Sequence, residues 1–163
     1  GIGACEWLVD DHVLSPLFER CRHLLPQTMS GGELAGLNAR WRLFRYSDVE
    51  GAVYRPHIDG SWPGSGLDSS GRYQHDAHGD RRSRLTFLVY LTAGFEGGNT
   101  TFYMPDSIAD AGLHARRVRP VLGAVLCFPQ GNTASLLHEG SAVHRGVKIV
   151  IRTDVLYTMP RRG

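Results

Sequence analysis

A two-sheet β-barrel of jelly-roll type with flanking helices is the fold class this sequence predicts, and three observations predict it. From Trp41 onward, short apolar segments of strand length recur between Gly, Pro and Asp. Eight such segments follow one another with no helix-period stretch among them. A helix-period stretch precedes them all, and a barrel is one way for so many short strands to limit free edges.

The lead-in, about residues 1–40, reads as helical. Ser15 is a good N-cap and Pro16 suits the first helical position. Leu17, Phe18, Cys21, Leu24 and Leu25 recur at helix spacing, and Pro26 ends the run. Ser30-Gly31-Gly32 and Gly36 mark loops. The predicted strands are Arg42–Tyr46, Val53–His57, Leu85–Thr92, Thr100–Tyr103, Arg116–Val118, Ala124–Phe128, Ser135–His138 and Val147–Tyr157. They define a barrel over about 41–159, and no internal repeat interrupts it. Between the second and third strands lies a connection, 60–83, rich in Gly, Ser, Asp, Arg and His. Structureless loops of that length are uncommon in compact domains and often cover sites. It is expected to be a mobile lid, with Trp62 and Tyr73 supplying aromatic surface to a substrate.

At 163 residues the chain is long enough for one domain, 1–163, with a substantial core. Hydrophobic residues make up 42% and charged residues 21%, an ordinary globular balance. The net charge of +2 is too small for a nucleic-acid footprint, and no apolar run approaches the ~20 residues of a membrane span. Neither nucleic acid nor membrane is therefore an expected partner, and nothing specifies an oligomeric state. Cys5, Cys21 and Cys127 are odd in number and at no metal-binding spacing, so they read as free thiols. A reducing, cytoplasmic setting is the matching expectation.

His57-Ile58-Asp59-Gly60 carries the chemistry. Residues two apart in a strand face the same way, so His57 and Asp59 can offer an imidazole nitrogen and a carboxylate oxygen to one ion. A carboxylate buried there without a cation would cost several kcal/mol or so. Two downstream histidines, His138 and His144, compete for a third position. Two histidines and one carboxylate on one face, with other positions open, suit a non-haem Fe(II) oxygenase. Lys148 lies in the apolar run Val147-Lys148-Ile149-Val150-Ile151, where a buried ammonium calls for an anionic partner. Arg152 shares its parity, as a candidate to assist Lys148, to touch substrate or to pair with Asp154. Thr86, Leu88, Tyr90 and Thr92 share one face of their strand.

From Trp41 to Tyr157 the chain resembles the 2-oxoglutarate- and Fe(II)-dependent dioxygenases, in their prolyl 4-hydroxylase-like branch. The resemblance rests on His57-x-Asp59, on Glu96-Gly97-Gly98-Asn99-Thr100-Thr101-Phe102, and on His138 followed by Ala142-Val143, Gly146 and Lys148. Ala142 stands where the branch usually has proline. The resemblance implies a double-stranded β-helix and a metal held by His57, Asp59 and His138. It implies that Lys148 meets the far carboxylate of 2-oxoglutarate, with Tyr46 and Tyr90 within reach and Leu88 and Thr100 lining the cavity. It further implies Fe(II), with 2-oxoglutarate and O2 as co-substrates, and admits ascorbate as reductant. The implied reaction couples oxidative decarboxylation to hydroxylation of an unactivated C–H bond, foremost the 4-position of a prolyl residue in a peptide or protein. The same chemistry on a free amino acid or small metabolite, a nucleic-acid demethylase, and a non-catalytic cupin-like barrel are the alternatives. The last has no use for Lys148 or the tyrosines.

Overall fold

The computed structural model describes residues 2–107, 112–131 and 135–159. In chain order the elements are β1 (Gly3–Leu8), α1 (Asp11–Cys21), β2 (Thr28–Met29), β3 (Gly32–Leu37), β4 (Arg40–Ser47) and β5 (Tyr54–His57). Then come β6 (Gly66–Leu67), β7 (Tyr73–Gln74), β8 (Arg81–Tyr90), β9 (Glu96–Gly97) and β10 (Thr100–Met104). The last are β11 (His114–Val118), β12 (Val125–Pro129), β13 (His138–Gly140), β14 (Val143–Arg145) and β15 (Val147–Thr158).

The long strand β15 organises the larger sheet. Its first half pairs antiparallel with β4 and its second half with β3, while β8 runs along the opposite edge. β1 flanks β4, β2 flanks β3, and β12 flanks β8. A second sheet has the order β11-β10-β13-β5. Alternation along β15 puts Lys148, Val150, Arg152 and Asp154 on one buried face, while Val147, Ile149 and Ile151 are only partly covered. Directly opposed residues of an antiparallel pair share a face. Tyr46, Phe44 and Arg42 of β4 therefore join that face, as do Tyr90, Leu88 and Thr86 of β8. The barrel interior is thus apolar at some levels and charged at others.

Two cores result. One packs Leu85, Phe87, Val155 and Tyr157 beneath Leu14 of α1, with Leu17, Phe18 and Cys21 against it. The other gathers Tyr46, Tyr90, Val143 and Val150. All three cysteines are free. Among the described residues no helix is long and apolar enough to cross a membrane.

The lead-in departs from its helical expectation. Only Asp11–Cys21 is α-helix, followed by a 3₁₀ turn at Arg22–Leu24. The helix starts a turn before Ser15, because the Asp10 carboxylate accepts from the His12 amide at 3.0 Å and caps it. Pro16 sits inside, where it removes one backbone donor. Residues 28–37 form a hairpin instead of helix or loop. Ser30 and Gly31 both have positive φ, matching the tight two-residue turn that right-twisted strands prefer. The expected strand Ser135–His138 is also displaced, with β13 beginning at His138.

The 60–83 connection is not structureless. β8 begins at Arg81, and before it β6 and β7 form a small hairpin. Asn38, fully buried, donates from Nδ2 to the Pro63 carbonyl and accepts the Ser65 amide on Oδ1, both at 3.0 Å. Ser83 binds the Trp62 carbonyl through its amide, and Ser61 donates to the Ser83 carbonyl. Trp62 lies under the Arg40 guanidinium, 4.0 Å from its ring centroid, with the His75 ring at 5.2 Å. Polar composition concealed these backbone bonds, which composition cannot report.

Candidate active site

His57 and His138 are register partners across β5 and β13, and their ring centroids lie 4.3 Å apart. In each ring Nδ1 lies 2.8 Å from a backbone carbonyl two residues back, Arg55 for His57 and Leu136 for His138. A carbonyl oxygen can only accept, so Nδ1 carries a proton and Nε2 is the nitrogen left to ligate an ion. Both Nε2 atoms face Asp59, at 3.5 Å from Oδ1 for His57 and 3.6 Å from Oδ2 for His138. Ligand atoms of the three residues all lie within 4.8 Å of one another. Two imidazoles with outward lone pairs, each braced by a carbonyl, and one carboxylate are a donor set suited to Fe(II). The residues present fit that ion.

Asp59 follows β5 but bonds to the facing sheet. Thr86 of β8 donates to its Oδ2 at 2.6 Å, and Arg152 of β15 places Nη1 2.7 Å from its Oδ1. Burial works to raise the carboxyl pKa. The contacts from His57, Arg152, Thr86 and His138 outweigh it and hold the group well below the usual carboxylate range. His138 is packed by Phe128 and Phe102, and its burial lowers its proton affinity, which favours the neutral form a ligand needs. His144 lies exposed on β14, away from this cluster, which excludes it from the third position.

A cavity of about 440 Å³, its open mouth included, extends from this cluster into the barrel. Its walls include Phe44, Tyr46, Tyr54, Leu88, Thr100, Val150 and Arg152, with Lys148 at depth. Lys148 is 2% exposed and donates to the Gly98 carbonyl at 2.6 Å. Its ammonium lies 4.8 Å from the Tyr46 ring centroid and 5.9 Å from that of Tyr90. Burial pulls its pKa down to about 8. Tyr90 and Thr100 share a hydroxyl–hydroxyl bond of 2.8 Å that ties the two sheets together at the cavity wall. Burial raises the pKa of both Tyr46 and Tyr90, which keeps their phenols as donors.

His57, Asp59, His138, Lys148, Tyr46, Leu88 and Thr100 thus line one cavity, as does Arg152, while Tyr90 stands behind the wall and bonds to Thr100. Trp62 and Tyr73 do not line it: Trp62 packs on Arg40, and the Tyr73 hydroxyl lies 3.4 Å from Ser65 Oγ. Sequence reading missed the hold of Thr86 on Asp59, although Thr86 shares parity with Leu88 and Tyr90. It also missed Tyr54, whose ring lies 4.5 Å from that of His57, and Gly140. A β-carbon on Gly140 would sit 3.0 Å from the Tyr46 hydroxyl, so the missing side chain gives the phenol its room.

The chain is similar in fold to the viral collagen prolyl hydroxylase of Paramecium Bursaria Chlorella virus-1, solved with 2-oxoglutarate. The TM-score is 0.58 at 19% identity, covering 98% of this chain and 80% of that one. It is also similar to a Trichoplax adhaerens prolyl hydroxylase in complex with a peptide fragment of the hypoxia inducible factor oxygen degradation domain. There the TM-score is 0.60 at 16% identity, and the match covers 98% of this chain but 63% of the longer relative. No curated protein matches the chain by sequence. The model of the 2OG-Fe(II) oxygenase superfamily matches residues 41–153, a span that holds the histidine–aspartate–histidine cluster, Lys148 and the cavity between them. The chain belongs to the 2OG-Fe(II) oxygenase superfamily and is a 2-oxoglutarate-dependent dioxygenase with a double-stranded β-helix fold.

Proposed function

We propose that this enzyme hydroxylates prolyl residues in a peptide or protein, with iron held by His57, Asp59 and His138. Lys148 then receives the far carboxylate of 2-oxoglutarate. The observation that carries this reading is the arrangement of the cavity: a two-histidine and carboxylate cluster at one end, and a buried ammonium at the other. When bound, the iron supplies the activation of dioxygen that couples 2-oxoglutarate decarboxylation to C–H hydroxylation. The chain orients the co-substrate between fixed charges and limits water through the apolar walls of Phe44, Leu88 and Val150. Tyr46, in the cavity wall, would offer its phenol as a donor to a carboxylate held by the Lys148 ammonium.

A peptide substrate is supported by a relative. One structurally similar protein is a prolyl hydroxylase in complex with a peptide. The test is succinate release with Fe(II), ascorbate and 2-oxoglutarate, using proline-containing peptides against free amino acids and small metabolites. Mass spectrometry should find one added oxygen on proline in the peptides that stimulate turnover. Stimulation by free amino acids alone would replace the peptide reading with a small-molecule one.

A further inference from the structure

Arg152 occupies a position where an apolar side chain would fill the barrel more cheaply. It projects inward from β15 opposite Leu88, among side chains that wall the cavity. Its residue is 8% exposed, so the guanidinium is largely withdrawn from water. Replacing such buried ion pairs by packed hydrophobic residues is often neutral or stabilising, so folding alone gives a weak reason for this one.

Its contacts point to a different role. Nη1 lies 2.7 Å from Asp59 Oδ1, and Nη2 lies 3.5 Å from Asp154 Oδ1. Asp154 is itself held by Gln130, whose Nε2 donates to Oδ1 at 2.9 Å. The guanidinium therefore bonds the cluster carboxylate through Nη1, while the Asp154 carboxylate attracts it from the other side and Nε and Nη2 have no hydrogen-bond partner among the described residues. Thr86 binds Oδ2 of Asp59 and Arg152 binds Oδ1, so each carboxylate oxygen has its own partner and rotation of the group breaks both contacts. Lys148 lies four residues away along the strand, about 13 Å at extended rise, so the two cations serve opposite ends of the cavity.

We propose that Arg152 is a positioning residue of the metal centre: it holds Asp59 so that its carboxylate meets the ion together with His57 and His138. The proposal rests on those three residues being the metal ligands. Groups that orient a metal ligand commonly cost about 10–100-fold in metal affinity when removed.

The test uses Co(II) as a spectroscopic probe of the full chain, with no turnover. Titration followed by visible absorption gives both the affinity and the shape of the ligand-field bands. Arg152→Met should weaken Co(II) binding about 10–100-fold and alter the bands. Arg152→Lys, which keeps the charge but lacks the fork, should fall between Arg152→Met and the parent. Should Arg152→Met fail to fold, the double variant Arg152→Met/Asp154→Asn removes the second stranded carboxylate and is read in its place. Co(II) affinity and bands unchanged from the parent, or tighter binding, would overturn the proposal. Asp59→Ala is the control for the underlying reading. If Asp59→Ala binds Co(II) like the parent, the ligand assignment fails, whatever Arg152 does. If Asp59→Ala loses the ion while Arg152→Met does not, the ligand assignment stands and the positioning role is lost.

Discussion

The Lys148 ammonium donates to the Gly98 carbonyl at 2.6 Å, and a left-handed backbone that favours glycine presents that carbonyl. Gly98 has φ +64, and a β-carbon there would sit 3.0 Å from Phe95, 3.1 Å from Lys148 Cδ and 3.1 Å from Val143. The turn after β9 therefore positions the cation at the end of the cavity. Gly98→Ala should cost roughly 1–3 kcal/mol of stability from the left-handed backbone alone. It should also weaken 2-oxoglutarate binding by displacing Lys148, while Co(II) binding stays intact. Calorimetry with each ligand checks this. Equal co-substrate affinity in Gly98→Ala and the parent would separate the turn from the cation.

Lys148 gives a pH dependence with a defined sign. Burial lowers its pKa to about 8 from the ordinary lysine value of 10.5. Only the ammonium form pairs with a carboxylate, so 2-oxoglutarate affinity should be flat below about pH 8 and fall above it. The same shift means that the unfolded chain holds the proton more tightly than the folded one. The contribution of this group to stability therefore rises between about pH 8 and 10.5. Lys148→Ala should weaken 2-oxoglutarate about ten- to hundredfold, the value of a charge-assisted contact, and abolish the alkaline fall. Binding isotherms from pH 6 to 9 test both statements. An alkaline fall that persists in Lys148→Ala assigns it to another group.

His138 and His144 offer the cleanest contrast for the metal. His138 is buried with Nε2 toward Asp59, whereas His144 is exposed on β14. His138→Ala should abolish Fe(II) and Co(II) binding and with it succinate formation. His144→Ala should leave both near the parent level. The reverse pattern in a metal titration would make His144 the third ligand and overturn the assignment to His138.

Much of this site was readable from period-2 alternation and spacing. His57 and Asp59 share a face because a strand puts them there, and the parity of Lys148, Arg152 and Asp154 follows the same rule along β15. The barrel class was readable for a related reason: each core strand carries enough apolar residues to be recognised alone. What stayed hidden depends on contacts between distant segments. Neither the Thr86 bond to Asp59 nor the use of Arg152 on the same carboxylate has a local signature. The hairpin at Thr28–Leu37 was obscured by helix-like spacing that ends at Pro26. The 60–80 segment looked free because its order comes from a small hairpin and from bonds to distant residues such as Asn38 and Ser83.

Asn38 accordingly supplies the last prediction. Beyond its two side-chain bonds to Pro63 and Ser65, its own amide donates to the Asp154 carbonyl at 2.8 Å, and its carbonyl accepts from Thr153 Oγ1 at 2.7 Å. It therefore ties the 60–80 segment to β15 through the protein interior. Asn38→Ala strands a buried carbonyl and a buried amide, at a cost of roughly 1–3 kcal/mol and a lower Tm. Amide exchange at Ser65 and its neighbours should accelerate, whereas that of β8 and β15 should change only with global stability. No residue of 60–80 lines the cavity, so Co(II) and 2-oxoglutarate affinities should match the parent. Turnover of a peptide substrate is the separate readout for this segment. A drop in turnover with co-substrate affinity unchanged would mean that the pinned segment contacts the peptide outside the cavity. Unchanged turnover would confine Asn38 to holding the fold.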